Sequence, residues 1–123
     1  LAYPIGGTFH ISHGLSNSLV LPYVLRFNSV DVKAAKNYAE LAPYVFPKLD
    51  INKGTQAVCA EFIDKLEDLS KRLGLPQKLR EVDIPKDACE KMASDAMKQT
   101  RLLVNNPREV TEVDALNIYQ SAW

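Results

Sequence analysis

The chain has 123 residues, 46% of them hydrophobic and 24% charged, which is an ordinary composition for one globular domain. Its 15 basic and 15 acidic residues balance, which argues against a protein that binds nucleic acid or anionic membranes through net charge. There is no apolar run of transmembrane length and no signal peptide. Cys59 and Cys89 form no C-x-x-C motif, and they predict buried free thiols in a reducing cytoplasm.

The first 28 residues contain both histidines of the chain together with several glycines and prolines. The run Gly6-Gly7-Thr8 predicts a break in any preceding element, so residues 1–12 are expected to form a loop. Ser12 is a suitable N-cap for a helix from His13 to about Phe27. Pro22 is expected to interrupt that helix, because a proline ring in a helix interior costs about 3 kcal/mol.

His13 is a candidate metal ligand at the start of this helix. The positive end of the helix dipole favours the neutral imidazole, which is the form that binds a metal ion. His10 and His13 are the only histidines, however, and a metal site normally needs three or four protein ligands. From these residues alone, a surface or capping histidine is the more common interpretation.

The middle of the chain predicts two more helices. Asp31 can cap one that ends near Ala42, and the following loop, between Pro43 and Pro47, is expected to pack its aromatic and aliphatic side chains inward. A second helix should begin after Gly54, with Thr55 as N-cap, and end at Gly74. Its apolar stripe and its oriented charge pairs predict one buried and one solvated face. The stripe consists of Val58, Phe62, Leu66, Leu69 and Leu73.

The last third of the chain predicts a central helix, a turn and a terminal helix. Pro85 suits the first position of a helix to about Thr100. Two rows of small residues and methionines along it indicate close packing against two neighbours. The run Asn105-Asn106-Pro107-Arg108 predicts a turn, either fixed by Asn and Arg hydrogen bonds or serving as a polar cleft wall. Thr111-x-x-Asp114 then opens a final helix in which Leu116, Tyr119 and Trp123 face the core.

Several spaced motifs resemble the C-terminal helical domain of the iron-containing (group III) alcohol dehydrogenases. They occur in family order over nearly the whole chain: Pro4-Ile5-Gly6, His13-Gly14-Leu15-Ser16-Asn17, Leu21-Pro22, Arg26-Phe27-Asn28, Gly74-Leu75-Pro76 and Asn106-Pro107-Arg108-Glu109. Three positions depart from the family pattern. Tyr3 stands where many members have a second histidine, Ser12 where proline is usual, and Asn105 where glycine is common.

The resemblance implies an all-α fold, a bundle of about five helices. Residues 1–123 would be the C-terminal metal-binding and catalytic domain of an enzyme whose N-terminal cofactor domain is absent from this sequence. The intact enzyme would use Fe²⁺, or Zn²⁺ or another divalent ion, to activate an alcohol for hydride transfer to NAD(P). Such an enzyme is expected to be a cytoplasmic homo-oligomer.

Within this chain the resemblance assigns one metal ligand, His13, and places Tyr3, Phe9 and His10 near the alcohol pocket. The other three metal ligands of the family would lie upstream of Leu1. The 123-residue chain alone is therefore expected to be inactive, to bind Fe²⁺ or Zn²⁺ weakly if at all, and to self-associate through exposed apolar surface.

Two other interpretations remain open. The maleylacetate reductases share the fold and work without the metal, but they typically read His-Ala-Glu where this chain reads His13-Gly14-Leu15. The chain could also be a helical interaction module without catalysis. A histidine-bearing helix and a glycine-rich cofactor domain upstream of Leu1 would distinguish the enzyme from the module.

Overall fold

The computed structural model describes all 123 residues and contains only helices and connectors. The predicted all-α class is confirmed, but there are seven α-helices instead of about five. They are α1 (Ala2–Phe9), α2 (His13–Asn28), α3 (Val32–Val45), α4 (Thr55–Arg72), α5 (Ala88–Met97), α6 (Thr100–Leu103) and α7 (Glu112–Ala122), with a 3₁₀ turn at Leu79–Val82. None of these helices is both long and apolar enough to cross a bilayer.

The main core lies between α1, α2, α5 and α7. Its twelve buried residues include Ile5, Leu19, Met92 and Tyr119, and Tyr119 is fully buried. Helix α5 packs against both α7 and α1, which confirms its predicted central position. Small side chains, among them Ala93, allow that close approach. Cys89 is buried in this core and Cys59 in a separate cluster, both as free thiols, and burial raises the pKa of each.

Helix α1 is the largest departure from the sequence prediction. The residues expected to form a loop are helical through Gly6 and Gly7 as far as Phe9, and His10 then ends the helix with a left-handed backbone (φ 58°). Each glycine weakens a helix by about 1 kcal/mol relative to alanine. Burial of Ala2, Pro4 and Ile5 against the main core offsets that cost.

The two prolines differ in outcome: α2 runs past Pro22 close to its predicted end, whereas the predicted end of α3 before Pro43 is wrong. Helix α2 continues through Pro22 to Asn28, and Pro22 is buried. Helix α3 continues through Pro43 to Val45. Tyr44 does not pack inward as expected, because 86% of its surface is exposed, and Val45 is also exposed. Burial of the remaining helix face compensates for the amide that each proline lacks.

Helices α3 and α4 pack against each other and hold two small clusters of their own, one around Phe62 and one around Ile63. Asp31 caps α3 as predicted, accepting a hydrogen bond from the Ala34 amide at 2.8 Å. The α4 stripe is buried only in its first half, since Leu69 and Leu73 are exposed.

The two ends of α4 are set by glycines. Gly54, with φ 89°, occupies the N-cap position in place of Thr55, which is the first helical residue. Gly74 adopts φ 76° just past the C-terminus, and the amides of Gly74 and Leu75 bond to the carbonyls of Lys71 and Ser70. This is the Schellman arrangement that glycine at this position favours, and it confirms the predicted end.

The charged face of α4 is not simply a solvated face. Glu61 pairs with Lys65 as expected, at 3.9 Å. Asp64 and Glu67, however, both bind Arg26 of α2. They therefore join the α3–α4 pair to the helix that begins at His13. The sequence prediction missed this contact because Arg26 lies 38 residues away from Asp64.

The C-terminal part follows the prediction with shifted boundaries. Helix α5 begins at Ala88, after a turn that starts at Pro85, and ends at Met97, so it is shorter than expected at both ends. Thr111 and Asp114 form the predicted capping box of α7. Trp123 packs against the main core and donates an indole hydrogen bond to the Ile84 carbonyl at 2.9 Å.

Candidate metal ligand and apolar cleft

His13 is the first residue of α2, and its side chain is exposed. Ser12 occupies the N-cap position as predicted, but its hydroxyl makes no capping hydrogen bond. The Ser16 hydroxyl instead donates to the Ser12 carbonyl at 2.9 Å. The start of α2 therefore presents an accessible imidazole beside first-turn amides without a side-chain acceptor.

Two neighbours restrict the imidazole ring of His13. The ring of Tyr3, from α1, lies edge-on to it, with centroids 6.0 Å apart and planes inclined at 73°. The side-chain amide nitrogen of Asn17, one turn along α2, lies 3.1 Å from His13 Nε2 and 3.0 Å from the His13 carbonyl oxygen. The ring therefore has a defined orientation although it is exposed.

The Asn17 contacts favour one tautomer of the His13 ring. The His13 carbonyl oxygen can only accept a hydrogen bond, so the Asn17 atom facing it must be the Nδ2 donor. The same Nδ2 lies 3.1 Å from His13 Nε2 and can donate its second hydrogen there in the tautomer that carries the ring proton on Nδ1. In that tautomer Nε2 keeps the lone pair that a metal ion would bind.

We expect Asn17→Ala to shift the His13 tautomer away from the Nδ1-protonated form, because the amide donor to Nε2 is lost. Nitrogen-15 NMR of the imidazole rings at pH 8 would measure this. The His10 ring, in the same sample, provides the internal reference. Identical His13 ring shifts in the wild type and in Asn17→Ala would contradict the hydrogen bond.

An apolar cleft of about 200 Å³ begins beside Asn17 and follows α2. Ten of its thirteen lining residues are hydrophobic. One wall is a face of α2 (Val20, Leu21, Val24, Phe27), and the opposite wall includes Leu102 and Leu103 of α6. Cavities of this size with apolar walls accommodate small hydrophobic molecules.

The three predicted pocket residues do not line this cleft. Tyr3 lies against His13 instead, with 47% of its surface exposed. Phe9 is half-buried against the main core, and His10 is exposed at the end of α1. Their assignment to an alcohol pocket stays a prediction, and of the three only Tyr3 has a contact with His13.

Sequence reasoning missed the cleft residues on α2, although a signal was present. Asn17, Val20, Val24 and Phe27 are spaced by 3, 4 and 3 residues and so share one helix face. Their opposite wall, 75 or more residues further along the chain, has no such local signal. No three His, Cys, Asp or Glu side chains of the chain are grouped closely enough to hold a metal ion.

The chain matches the family described as Fe-containing alcohol dehydrogenase, C-terminal, over residues 1–123. It is 36% identical to long-chain-alcohol dehydrogenase 1 of Geobacillus thermodenitrificans, a match that covers 100% of this chain and 30% of that protein. It is 29% identical to lactaldehyde reductase of Escherichia coli, over 100% of this chain and 31% of that protein.

Solved structures give the same result. A 1,3-propanediol oxidoreductase superposes with a TM-score of 0.89 at 27% identity, over 99% of this chain and 31% of that one. An alcohol dehydrogenase from Oenococcus oeni superposes with a TM-score of 0.88 at 26% identity, over the same shares. The chain thus spans less than a third of the length of each of these proteins.

Proposed function

We infer that the intact protein interconverts an alcohol and an aldehyde with NAD(P), because this chain belongs to the iron-containing alcohol dehydrogenase family and matches its C-terminal region. The observation that carries this proposal is the position of His13 at the accessible start of α2, with the apolar cleft following the same helix. A polar reacting group and an alkyl chain can then be held along one rigid element.

The residues present fit one ligand of a metal centre. His13 offers an accessible imidazole, and neutral imidazole binds first-row divalent ions well. We propose Fe²⁺ as the ion, with Zn²⁺ or another divalent ion as alternatives, and we assign the remaining ligands to the segment upstream of Leu1. When bound, the ion would lower the pKa of the alcohol oxygen and so favour its alkoxide.

The chain's own residues would orient the substrate and exclude water. The face of α2 and the α6 wall would bury the alkyl chain, and each methylene taken out of water contributes about 0.8 kcal/mol. Tyr3 would limit rotation of the His13 ring by edge-on packing. Asn17 would have to turn away from Nε2 for metal to bind, and its side chain is exposed.

The remaining features of the intact protein are part of the same proposal. Residues 1–123 would be its C-terminal metal-binding domain, joined to an N-terminal domain that holds NAD(P), as the greater length of the relatives suggests. We place the protein in the cytoplasm, because both buried cysteines are free thiols. We expect a homo-oligomer, which size-exclusion chromatography with light scattering would test.

The proposal is tested by expressing the complete polypeptide and measuring NAD(P) reduction with primary alcohols, before and after removal of metal with a chelator. We expect turnover that is lost on chelation and restored by Fe²⁺. Reduction of maleylacetate that survives chelation would favour the metal-independent reductases instead. Absence of any dehydrogenase activity in the metal-loaded protein would favour a helical interaction module.

A further inference from the structure

Two side-chain amides, one buried and one half-buried, join segments far apart in the chain. Asn28 Nδ2 donates to Asn106 Oδ1 at 2.9 Å, and Asn106 Nδ2 donates to Asn28 Oδ1 at 2.7 Å, across 78 residues. Asn28 is only 2% exposed, and its Nδ2 also donates to the Tyr38 hydroxyl at 3.1 Å. A reciprocal pair of this kind fixes both distance and orientation, and no other residue type offers the same donor and acceptor in one group of this size.

The pair fixes a segment with little packing of its own. Helix α6 has four residues, none of them buried, and the backbone bonds of residues 99–106 are local, as in Leu102 to Gln99 and Asn106 to Leu103. Asn106 itself lines the apolar cleft, next to the wall formed by Leu102 and Leu103. The distance of that wall from α2 therefore depends mainly on how the end of the segment is attached.

Arg108 makes a second contact between this segment and the C-terminal end of α2. Arg108 Nη1 donates to the Phe27 carbonyl at 2.7 Å, and its guanidinium lies 3.9 Å from the centre of the Phe27 ring. Asn106 Nδ2 also donates to the Arg108 carbonyl at 2.6 Å. Both receiving residues on α2, Phe27 and Asn28, belong to the helix that begins with His13, so the α6 wall is positioned relative to His13 through one rigid element.

We propose that Asn28 and Asn106 are a positioning pair that sets the width of the apolar cleft, and with it the length of the alcohol chain that the enzyme accepts. This inference rests on the proposed function. The substrate class would be primary aliphatic alcohols, with the hydroxyl at His13 and the alkyl chain between α2 and α6. Asn106 would act through the wall that it holds and not by contact with the reacting atoms.

The proposal predicts a loss that grows with alcohol length. Each methylene buried between well-placed walls contributes about fourfold in affinity. A wall that is free to move away from α2 loses that contribution only for the methylenes it would have contacted. Ethanol, with one methylene, is expected to be nearly unaffected, whereas 1-octanol should be strongly affected.

We would measure kcat and KM of the intact enzyme with ethanol, 1-butanol and 1-octanol in the wild type and in Asn106→Ala. We expect the 1-octanol to ethanol ratio of kcat/KM to fall by about tenfold, mainly through a higher KM for 1-octanol. The loss should increase from ethanol to 1-octanol. An equal loss for all three alcohols, or no loss, would overturn the proposal.

Two control variants separate positioning from general destabilisation. Tyr38→Phe removes the third hydrogen-bond partner of Asn28 but leaves the reciprocal pair, and it should keep the wild-type ratio. Val58→Ala weakens the separate cluster between α3 and α4, and it should lower thermal stability without changing the ratio. A changed ratio in either control would attribute the effect to stability and contradict the proposal.

A binding measurement on the 123-residue chain keeps the inference separate from the proposed function. The probe is 1-octanol, followed through the methyl NMR signals of Leu102 and Leu103. We expect binding that weakens by about tenfold in Asn106→Ala, even if the intact protein proves to have no dehydrogenase activity. Equal binding by both chains, or no binding by the wild type, would overturn the positioning role.

Discussion

Alanine in place of His13 is expected to lower kcat/KM of the intact enzyme by more than about 100-fold and to remove most of its bound metal. Changing a group that only supports a metal ligand already costs about 10- to 100-fold in metal affinity or activity. Loss of the ligand itself should cost more. His13 is exposed, so the substitution leaves no cavity, and thermal stability of the metal-free protein should change by less than about 0.5 kcal/mol.

The readouts are steady-state kinetics and metal content by elemental analysis of the purified protein. The matched control is His10→Ala, which removes the other histidine of the chain, three residues earlier. It should retain the metal stoichiometry of the wild type, whatever its effect on turnover. Full metal content in His13→Ala, or loss of metal in His10→Ala, would show that the ligand has been assigned to the wrong histidine.

Alanine in place of Tyr119 is expected to destabilise the protein by about 3–5 kcal/mol, the usual cost of deleting a buried aromatic ring. Tyr119 is fully buried in the main core, and its hydroxyl donates to the Leu1 carbonyl at 2.6 Å. The substitution therefore leaves a cavity and an unpaired carbonyl where α7 meets the start of α1. Calorimetry should show a melting temperature lower by about 10–20 °C.

Two further tyrosine variants separate the causes of this loss. Tyr44→Ala is the matched control, because Tyr44 is 86% exposed, and it should change stability by less than about 0.5 kcal/mol. Tyr119→Phe keeps the ring and should cost about 1–2 kcal/mol for the lost hydrogen bond. A loss in Tyr119→Ala no larger than in Tyr44→Ala would contradict the burial on which the prediction rests.

The same side chain predicts a loss of stability at high pH. Burial raises the pKa of Tyr119 above its ordinary value of 10.0. In the unfolded chain Tyr119 then loses its proton at lower pH than in the folded chain, so the unfolded state binds fewer protons above pH 10. The free energy of unfolding should fall as pH rises past 10, and the fall should be smaller in Tyr119→Phe.

Local sequence signals predicted most helices and several of their ends. The caps at Asp31 and at Thr111 with Asp114, and the C-terminal glycine at Gly74, are short-range hydrogen-bonding features and were predicted correctly. The glycines of α1 and Pro43 of α3 were overestimated as helix breakers. Helix propensity is a property of the segment alone, whereas these helices are stabilised by contacts with residues distant in sequence.

The candidate site was predictable only in part. The resemblance to a family singled out His13, and the structure adds the neighbours that orient its ring, Tyr3 and Asn17. The cleft was not predicted, because one wall comes from α2 and the other from α6. The pairing of Asn28 with Asn106 likewise requires two segments 78 residues apart to meet, and neither sequence segment indicates the other.

Because the buried residues form separate clusters, we expect one part of the molecule to unfold locally before the rest. The α3–α4 pair is held internally by clusters of four and three buried residues. It is joined to α2 by solvent-accessible ion pairs of Arg26, by the Asn28–Tyr38 hydrogen bond and by Leu25, which packs against the smaller cluster. Such a helix pair can unfold locally, and we expect the free energy of that opening to lie below the free energy of unfolding of the whole domain. We therefore expect α3 and α4 to exchange their amide hydrogens before α1, α5 and α7, which leaves the ring of His13 and most of the apolar cleft on the part that stays folded longest.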